Sequence, residues 1–423
     1  MSDVINKHIS DGINLYYIPD FKYKTVSMTA FMHRKLSREE ATYNALLSKV
    51  LKRGTEKCNN IYELNVYADS LYGALYDVNI SKKAHVQSIV SSVNFLQDEY
   101  TEENIARECT AFMLDLLYRP YVTDNCFDKA VFDVEKQNLR DDIEGLINDK
   151  RSYANFRCIE EMCKGEENAV FEFGYLEDLD EIDHIKLYEH YKKIRFTSPV
   201  DIFVVGNISI DELCGYIRDY LSEFEFNIKS LDSARTPSTK VNEVKYVEDV
   251  FDVAQGKLAM GFRTGITIDD DRYYALLLGN SIFGSGAHSR LFNTVREKLS
   301  LCYYASSMTD KFRGLMLVSS GIEFSNFEKA KNEIEKQLTN IKSGDFTEEE
   351  FVVSKNYLIN NYRSMKDSPY AMKDYYRGHC FSKNHDTIDE AIQKINALTP
   401  EDVKVALSQI ELDTVYFLKG KEA

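Results

Sequence analysis

Arg296 and Tyr303 stand seven residues apart in SGAHSRLFNTVREKLSLCYYASS, residues 285–307. An arginine offers fixed N–H donors suited to peptide carbonyls, and a tyrosine hydroxyl can bond an extended backbone or a developing oxyanion. Helical spacing puts Leu291, Phe292, Val295 and Leu299 on one apolar stripe, with Arg290 and Glu297 pointing away. Arg296 falls on the flank of that stripe, where its stem can be buried and its guanidinium presented at a rim. A strand begins near Tyr303, and the turn ahead of the helix, GSGAH with Gly284 and Gly286, reads as the C-terminal turn of a preceding helix.

Neither residue can activate a water molecule, and the rest of the chain supplies no obvious substitute. Of the eight histidines, His184 and His190 are six apart, a spacing shared by His379 and His385 that places each pair on different helix faces. His8, His33, His85 and His288 are isolated, so the histidines read as structural and no metal site is expected in this chain. The eight cysteines form no C-x-x-C and no disulfide-like framework, which suits thiols in a reducing compartment.

The elements that must position these residues follow from composition and pattern. A chain of 423 residues with 44% hydrophobic and 28% charged residues, including Tyr 28 and Phe 24, has material for two or more domains. A formal charge of −16 with no concentration of Lys and Arg excludes a nucleic-acid surface. No run of 18 apolar residues could span a bilayer, and MSDVINKHISDGINL lacks a secretory pattern, so no membrane partner and a cytoplasmic location are expected.

GINLYYIPDFKYKTVSMTAFMH alternates around a Pro-Asp turn and predicts a hairpin. SREEATYNALLSKVLKRG predicts a helix opened by a Ser37–Glu40 capping box, with an apolar stripe of Tyr43, Leu46, Leu47, Val50 and Leu51. Further helices and extended segments lead to the strand VDIFVVGNIS, and then the order repeats, from GKLAMGFRTGI to DTVYFLKG. Leu71 in SLYGALY and Leu301 in SLCYYAS occupy matching places, at an offset of about 230 residues. The expectation is an α+β chain made by tandem duplication of one α/β unit, each copy a mostly antiparallel sheet covered by helices. The boundaries read as 1–229 for the first domain, 230–245 for a polar, Pro-containing linker, and 246–423 for the second.

GSGAHSRLFNTVREKLSLCYY, together with KRGT at Lys52–Thr55, resembles the insulinase and pitrilysin family of zinc metallopeptidases, which includes mitochondrial processing peptidase. The resemblance covers essentially the whole chain. It implies an inverted motif, His-x-x-Glu-His, on the helix before the Gly-Thr, with two imidazoles one turn apart on zinc and the glutamate as general base. Counting back from Gly54-Thr55, those positions hold Ala45, Ser48 and Lys49. In FDKAVFDVEKQNLRDDIE, Glu135 matches an auxiliary acid and Asp142 the third ligand. Ala45 and Lys49 cannot act as the two imidazoles, so the metal site is degenerate.

In the family, the arginine and tyrosine matching Arg296 and Tyr303 contact peptide backbone near the scissile bond, and Gly284 and Gly286 occupy the place of a glycine-rich substrate loop. The resemblance therefore implies a catalytically inactive subunit, holding no cofactor itself, that pairs with a homologous subunit bearing His-x-x-Glu-His and zinc. Arg296 and Tyr303 would serve that partner's site in processing a peptide. Bacterial pairs of this type are linked to maturation of modified peptides or to 5-aminopentanol modification of elongation factor P, and the Lys, Asn, Ile and Tyr richness fits a bacterial source. A non-enzymatic structural or adaptor subunit, like the core subunits of respiratory complexes, is the alternative. A Lys49–Asp142 ion pair is expected where the metal would have been.

Overall fold

The computed structural model describes residues 4–166, 169–231 and 241–421. Two units emerge, and neither is a continuous half of the chain. The first comprises Met1–Glu144, Val170–Ala234 and Pro369–Gly378. The second comprises Gly145–Ala169, Arg235–Ser368 and His379–Ala423. The boundaries read from sequence are corrected accordingly: each sequence half gives one helical segment to the other half's unit. Most of the expected 230–245 linker lies outside the described residues.

In the first unit, β1 (Ile5–Ser10), β2 (Ile13–Pro19), β3 (Thr25–Lys35), β4 (Leu75–Lys83), β5 (Val86–Leu96) and β6 (Val200–Gly206) form one sheet in the order β1-β2-β6-β3-β5-β4. All neighbours are antiparallel except β2 and β6, which run parallel. The hairpin expected around Pro19-Asp20 is not formed. The Asp20–Lys24 connection instead passes the end of β6, where the Asp20 N–H donates to Gly206 O at 3.3 Å, and five residues are enough to step across two strand spacings. The hairpin partner of β2 is β1.

The helix Arg38–Leu51 buries Leu46, Leu47, Val50 and Leu51 against Met28, Ala30, Met32 and Ile89 in the main core of this unit. Ser37 caps it by accepting from the Glu40 N–H at 3.3 Å. The reciprocal half of the expected capping box is missing, because the Glu40 carboxylate takes both Arg34 nitrogens at 2.6 and 2.7 Å.

The second unit repeats the plan. β7 (Lys245–Phe251), β8 (Gly256–Arg263), β9 (Cys302–Asp310), β10 (Leu315–Ile322) and β11 (Glu411–Gly420) are ordered β7-β11-β8-β10-β9, with only β7 and β11 parallel. This is the order β2-β6-β3-β5-β4 of the first unit, so both sheets are mixed, mostly antiparallel and built on one topology. β7 falls where no period was read, because an edge strand with alternate residues exposed has little apolar face to show.

Candidate functional site: a charge-paired cleft and an exposed Arg–Tyr signature

Lys49, Lys52 and Arg53 are spaced i, i+3, i+4 at the end of the helix Arg38–Leu51, which points them to one side. With Ala45 and Ser48 they line a cleft of about 790 Å3 whose facing wall carries Asp77, Glu135, Asn138 and Asp142. Every cation has a carboxylate. Lys49 Nζ is 2.6 Å from Asp142 Oδ2, Lys52 Nζ is 2.6 Å from Asp77 Oδ1, and the Arg53 guanidinium binds Glu135. Glu135 and Asp142 lie two turns apart on the helix Lys129–Gly145, so two ion pairs tie that helix to the helix Arg38–Leu51 and to the turn that follows it.

The buried Glu135 also accepts from Asn138 Nδ2 at 3.1 Å. Burial pushes the Asp77 carboxyl up, but hydrogen bonds from Lys52 and Asn79 outweigh it and hold the group below the usual carboxylate range.

These residues do not fit a zinc ion. Ala45 has no side-chain donor atom, Ser48 Oγ donates back to Ala45 O at 2.8 Å, and Lys49 places an ammonium on the Asp142 carboxylate. Among the described residues no group of three His, Cys, Asp or Glu side chains is arranged to hold a metal. Asp77, Glu135 and Asp142 are each neutralised by a lysine or arginine, which removes the free anionic donors a divalent cation would need.

The signature in the second unit is built differently from its helical-wheel reading. Leu291–Lys298 is a π-helix, in which Leu299 N–H donates to Thr294 O at 3.0 Å, five residues back. The wider turn keeps Leu291 and Val295 buried and leaves Leu299 42% exposed, so Leu299 is not part of the stripe. Arg290 does not point into solvent either: it forms a two-pronged pair with Glu350 at 2.7 and 2.9 Å.

Arg296 is partly exposed, its guanidinium 4.6 Å from the centre of the Phe292 ring and 3.5 Å from Glu297. Tyr303 is 56% exposed on β9, an edge strand, and donates to Glu323 Oε1 at 3.3 Å. Its partners in sequence pair as Cys302 with Ile322 and Tyr304 with Gly321, so Tyr303 is the extra residue of a bulge. Bulges re-aim a side chain at a sheet edge, and this one turns the phenol outward.

Gly284 ends the helix Tyr273–Phe283 and packs on β9: Ser307 N–H donates to Gly284 O at 2.9 Å, and a Cβ at Gly284 would lie 2.4 Å from Ser307 Oγ. Gly286 has φ +107°, a conformation other residues avoid. The turn is thus a helix C-terminal turn in form.

Two histidines sit in networks the sequence spacing did not reveal. His190 Nε2 donates to Asn44 Oδ1 at 2.8 Å, beside Ala45, and Asn44 Nδ2 donates to Gln87 Oε1 at 2.8 Å. His33 joins Ser88 at 2.9 Å and Asp201 at 3.0 Å across β5, β3 and β6, with all three side chains buried. Lys52 and Asp77 were also missed, although the spacing of Lys49, Lys52 and Arg53 in KVLKRG is the signal that could have found the first of them.

A duplicated, mixed-sheet chain with a helix face where metal ligands are replaced describes a class: a two-unit metallopeptidase-like protein without the metal motif. A family model for the peptidase M16 inactive domain matches residues 181–358. The chain is 32% identical, over 100% of its length and 99% of the relative's, to the probable inactive metalloprotease YmfF of Bacillus subtilis. The chain belongs to the peptidase M16 family, as a member lacking His-x-x-Glu-His. It is also similar to a conserved protein of Enterococcus faecalis, with a TM-score of 0.92 and 30% identity over 100% of both chains. A peptidase M16 inactive domain of Pseudomonas fluorescens has the same fold, with a TM-score of 0.80 at 16% identity over 99% of this chain and 98% of that one. No helix among the described residues is long and apolar enough to cross a membrane.

Proposed function

We propose that the protein is the non-zinc subunit of a heterodimeric peptidase, and that Arg296 and Tyr303 serve a zinc centre held by a homologous subunit with His-x-x-Glu-His. The observation that carries this reading is an asymmetry. The cleft of the first unit carries the Lys49–Asp142 pair, while Arg296 and Tyr303 of the second unit stay exposed on a π-helix and a bulged edge strand, in surface contacts with Phe292, Glu297 and Glu323. π-turns and bulges are the local irregularities that recur at functional sites. The chain alone is inert on this reading, holds no cofactor, and acts on a peptide in the cytoplasm.

The test is to purify the chain with and without a zinc-bearing homologue from the same organism and to follow hydrolysis of a peptide library. The pair should cleave and the single chain should not. Arg296→Ala and Tyr303→Phe should each slow the pair by on the order of 10²-fold while leaving it assembled, the usual cost of one positioned donor at a developing charge. A stable pair whose rate ignores both substitutions would point to the adaptor role instead.

A further inference from the structure

The helix Pro369–Arg377 comes from the second half of the sequence but lies on the first unit, against the sheet face that carries Thr29, Phe31, His33 and Ser88. Met372, Tyr375 and Tyr376 are buried, and beside them the helix makes polar contacts with that face. Lys373 Nζ donates to Thr29 Oγ1 at 2.6 Å. Arg377 donates to Ser81 Oγ at 2.9 Å and Ser88 Oγ at 3.0 Å, with its guanidinium 4.0 Å from the centre of the Phe31 ring.

The reciprocal segment, Lys150–Met162 on the second unit, is seated in another way. Ala154 and Cys158 join Ala259, Leu317, Tyr416 and Leu418 in an apolar cluster, and Met162 fits over Gly261, where a Cβ would lie 2.7 Å from its sulfur. One strap thus seats small apolar residues on its sheet, with Arg157 paired to Asp249 and Arg263 donating to Met162 O at 2.7 Å. The other carries a cation inward.

Lys373 is 9% exposed, and no carboxylate lies within ion-pair distance of it among the described residues. The adjacent Asp374 is taken by Lys83. The groups facing Lys373 are the Thr29 hydroxyl on β3 and, on its own helix, Tyr370, Arg377 and Asp374; the His33–Asp201 pair and Ser88 lie on the same sheet face beneath Arg377. A buried ammonium with one neutral acceptor and a nearby guanidinium is costly to keep charged. Docking is thus easier for the neutral amine than for the ammonium.

We propose that Pro369–Arg377 is a proton-weakened strap, which lifts from the first sheet far more often when Lys373 is charged and then uncovers the Phe31–His33–Ser88 face. The Lys150–Met162 segment buries no ammonium, its half-buried Arg157 being paired with Asp249 and Glu161, and stays seated. The direction agrees with the electrostatics: burial first, and then Arg377, bring the docked amine down to about 8. A group depressed in the docked state stabilises docking above its undocked value, and that stabilisation is lost as pH falls through the docked one. Opening should therefore rise roughly tenfold between pH 9 and pH 7.

Native-state trypsin cleavage reads this directly, because Lys373 and Arg377 are themselves cleavage sites and Arg151 and Arg157 serve as internal controls in the other strap. Rates are normalised at each pH to an unstructured peptide of the same sequence. The strap sites should be cut roughly tenfold faster at pH 7 than at pH 9 while the control sites change little. In Lys373→Met, cleavage after Arg377 should be slow and independent of pH. Equal normalised rates at both pH values, parallel acceleration in both straps, or an unchanged pH dependence in Lys373→Met would each overturn the proposal. If Lys373→Met does not fold, hydrogen exchange of residues 366–378 against 150–162 in the native chain gives the same comparison.

Discussion

Lys49 Nζ stands 2.6 Å from Asp142 Oδ2, so an ammonium and a carboxylate on two different helices meet across the cleft. A divalent ion joins helices by coordination, whereas this pair joins them by one charge-assisted contact at the mouth of a cleft. Its energy is modest because Asp142 is 57% exposed and water screens the pair.

A double-mutant cycle with Lys49→Met and Asp142→Asn, read by denaturant unfolding, should therefore give a coupling of about 0.5–1 kcal/mol that shrinks in high salt. Zero coupling at low salt would mean that the two side chains are neighbours without holding the helices together.

Arg53 and Glu135 should matter more. Glu135 is 3% exposed, and removing its cation leaves a buried carboxylate with only Asn138 as partner. Arg53→Met should cost about 2–4 kcal/mol, and Arg53→Met with Glu135→Gln should recover part of that loss. A single substitution as mild as one on the surface would show that water reaches Glu135 freely.

How far these features could be read from sequence depended on locality. The Lys49–Asp142 pair was legible because the family resemblance matches both residues to positions that meet at one site, and the ion pair is formed. The strand order of the sheets was not: the Pro19-Asp20 turn looks like a hairpin locally, and only β6, some 180 residues later, shows that a strand comes between β2 and β3. The same holds for the exchanged segments 145–169 and 369–378, whose helical patterns say nothing of which sheet they cover. At the Arg296 signature the failure was one of period. A 3.6-residue wheel counts Leu299 as buried, and the shift to five-residue hydrogen bonds moves it to the surface.

Metal content gives a separate check on the cleft. With Ala45 and Lys49 in place of both imidazoles, the purified chain should retain well under one zinc per molecule after dialysis against a weak chelator. Its unfolding midpoint should not move when chelator or zinc is added, since a ligand that binds only the folded state would raise it. One tightly held zinc per chain would overturn the account of Lys49.

Acid should loosen the network behind the cleft. Burial pushes His190 down to about 4, with Glu40 opposing and Arg34 reinforcing the shift. A histidine depressed in the folded state stabilises the fold above its unfolded value near 6.5, and that contribution is lost as pH falls through the folded one. Stability should decline by about 1–3 kcal/mol between pH 6.5 and pH 4 through this group, and His190→Gln should flatten that part of the curve while keeping a polar side chain near Asn44. An identical pH profile for the variant would assign the acid sensitivity to other residues.

The last prediction concerns Gly284, where family resemblance and packing make different demands. A substrate loop tolerates a methyl group if the glycine is there only for mobility. The structure gives Gly284 a tighter constraint: its φ of −153° suits any residue, but a Cβ would come within 2.4 Å of Ser307 Oγ and 2.6 Å of Leu291 Cδ1. Ser307 cannot simply turn away, because its hydroxyl donates to Asn280 Oδ1 at 2.6 Å, and Leu291, the first residue of the π-helix, is fully buried. Gly284→Ala should therefore destabilise the second unit by about 1–3 kcal/mol through overpacking, without backbone strain. Gly286→Ala meets looser contacts, at 3.1 Å and beyond, but must hold φ +107°, so its cost of about 1–3 kcal/mol is conformational. The two mechanisms separate on adding Ser307→Gly, which should recover stability in Gly284→Ala and leave Gly286→Ala unchanged. Failure of that rescue would mean that Leu291 or the turn itself, and not the contact with Ser307, sets the requirement for glycine.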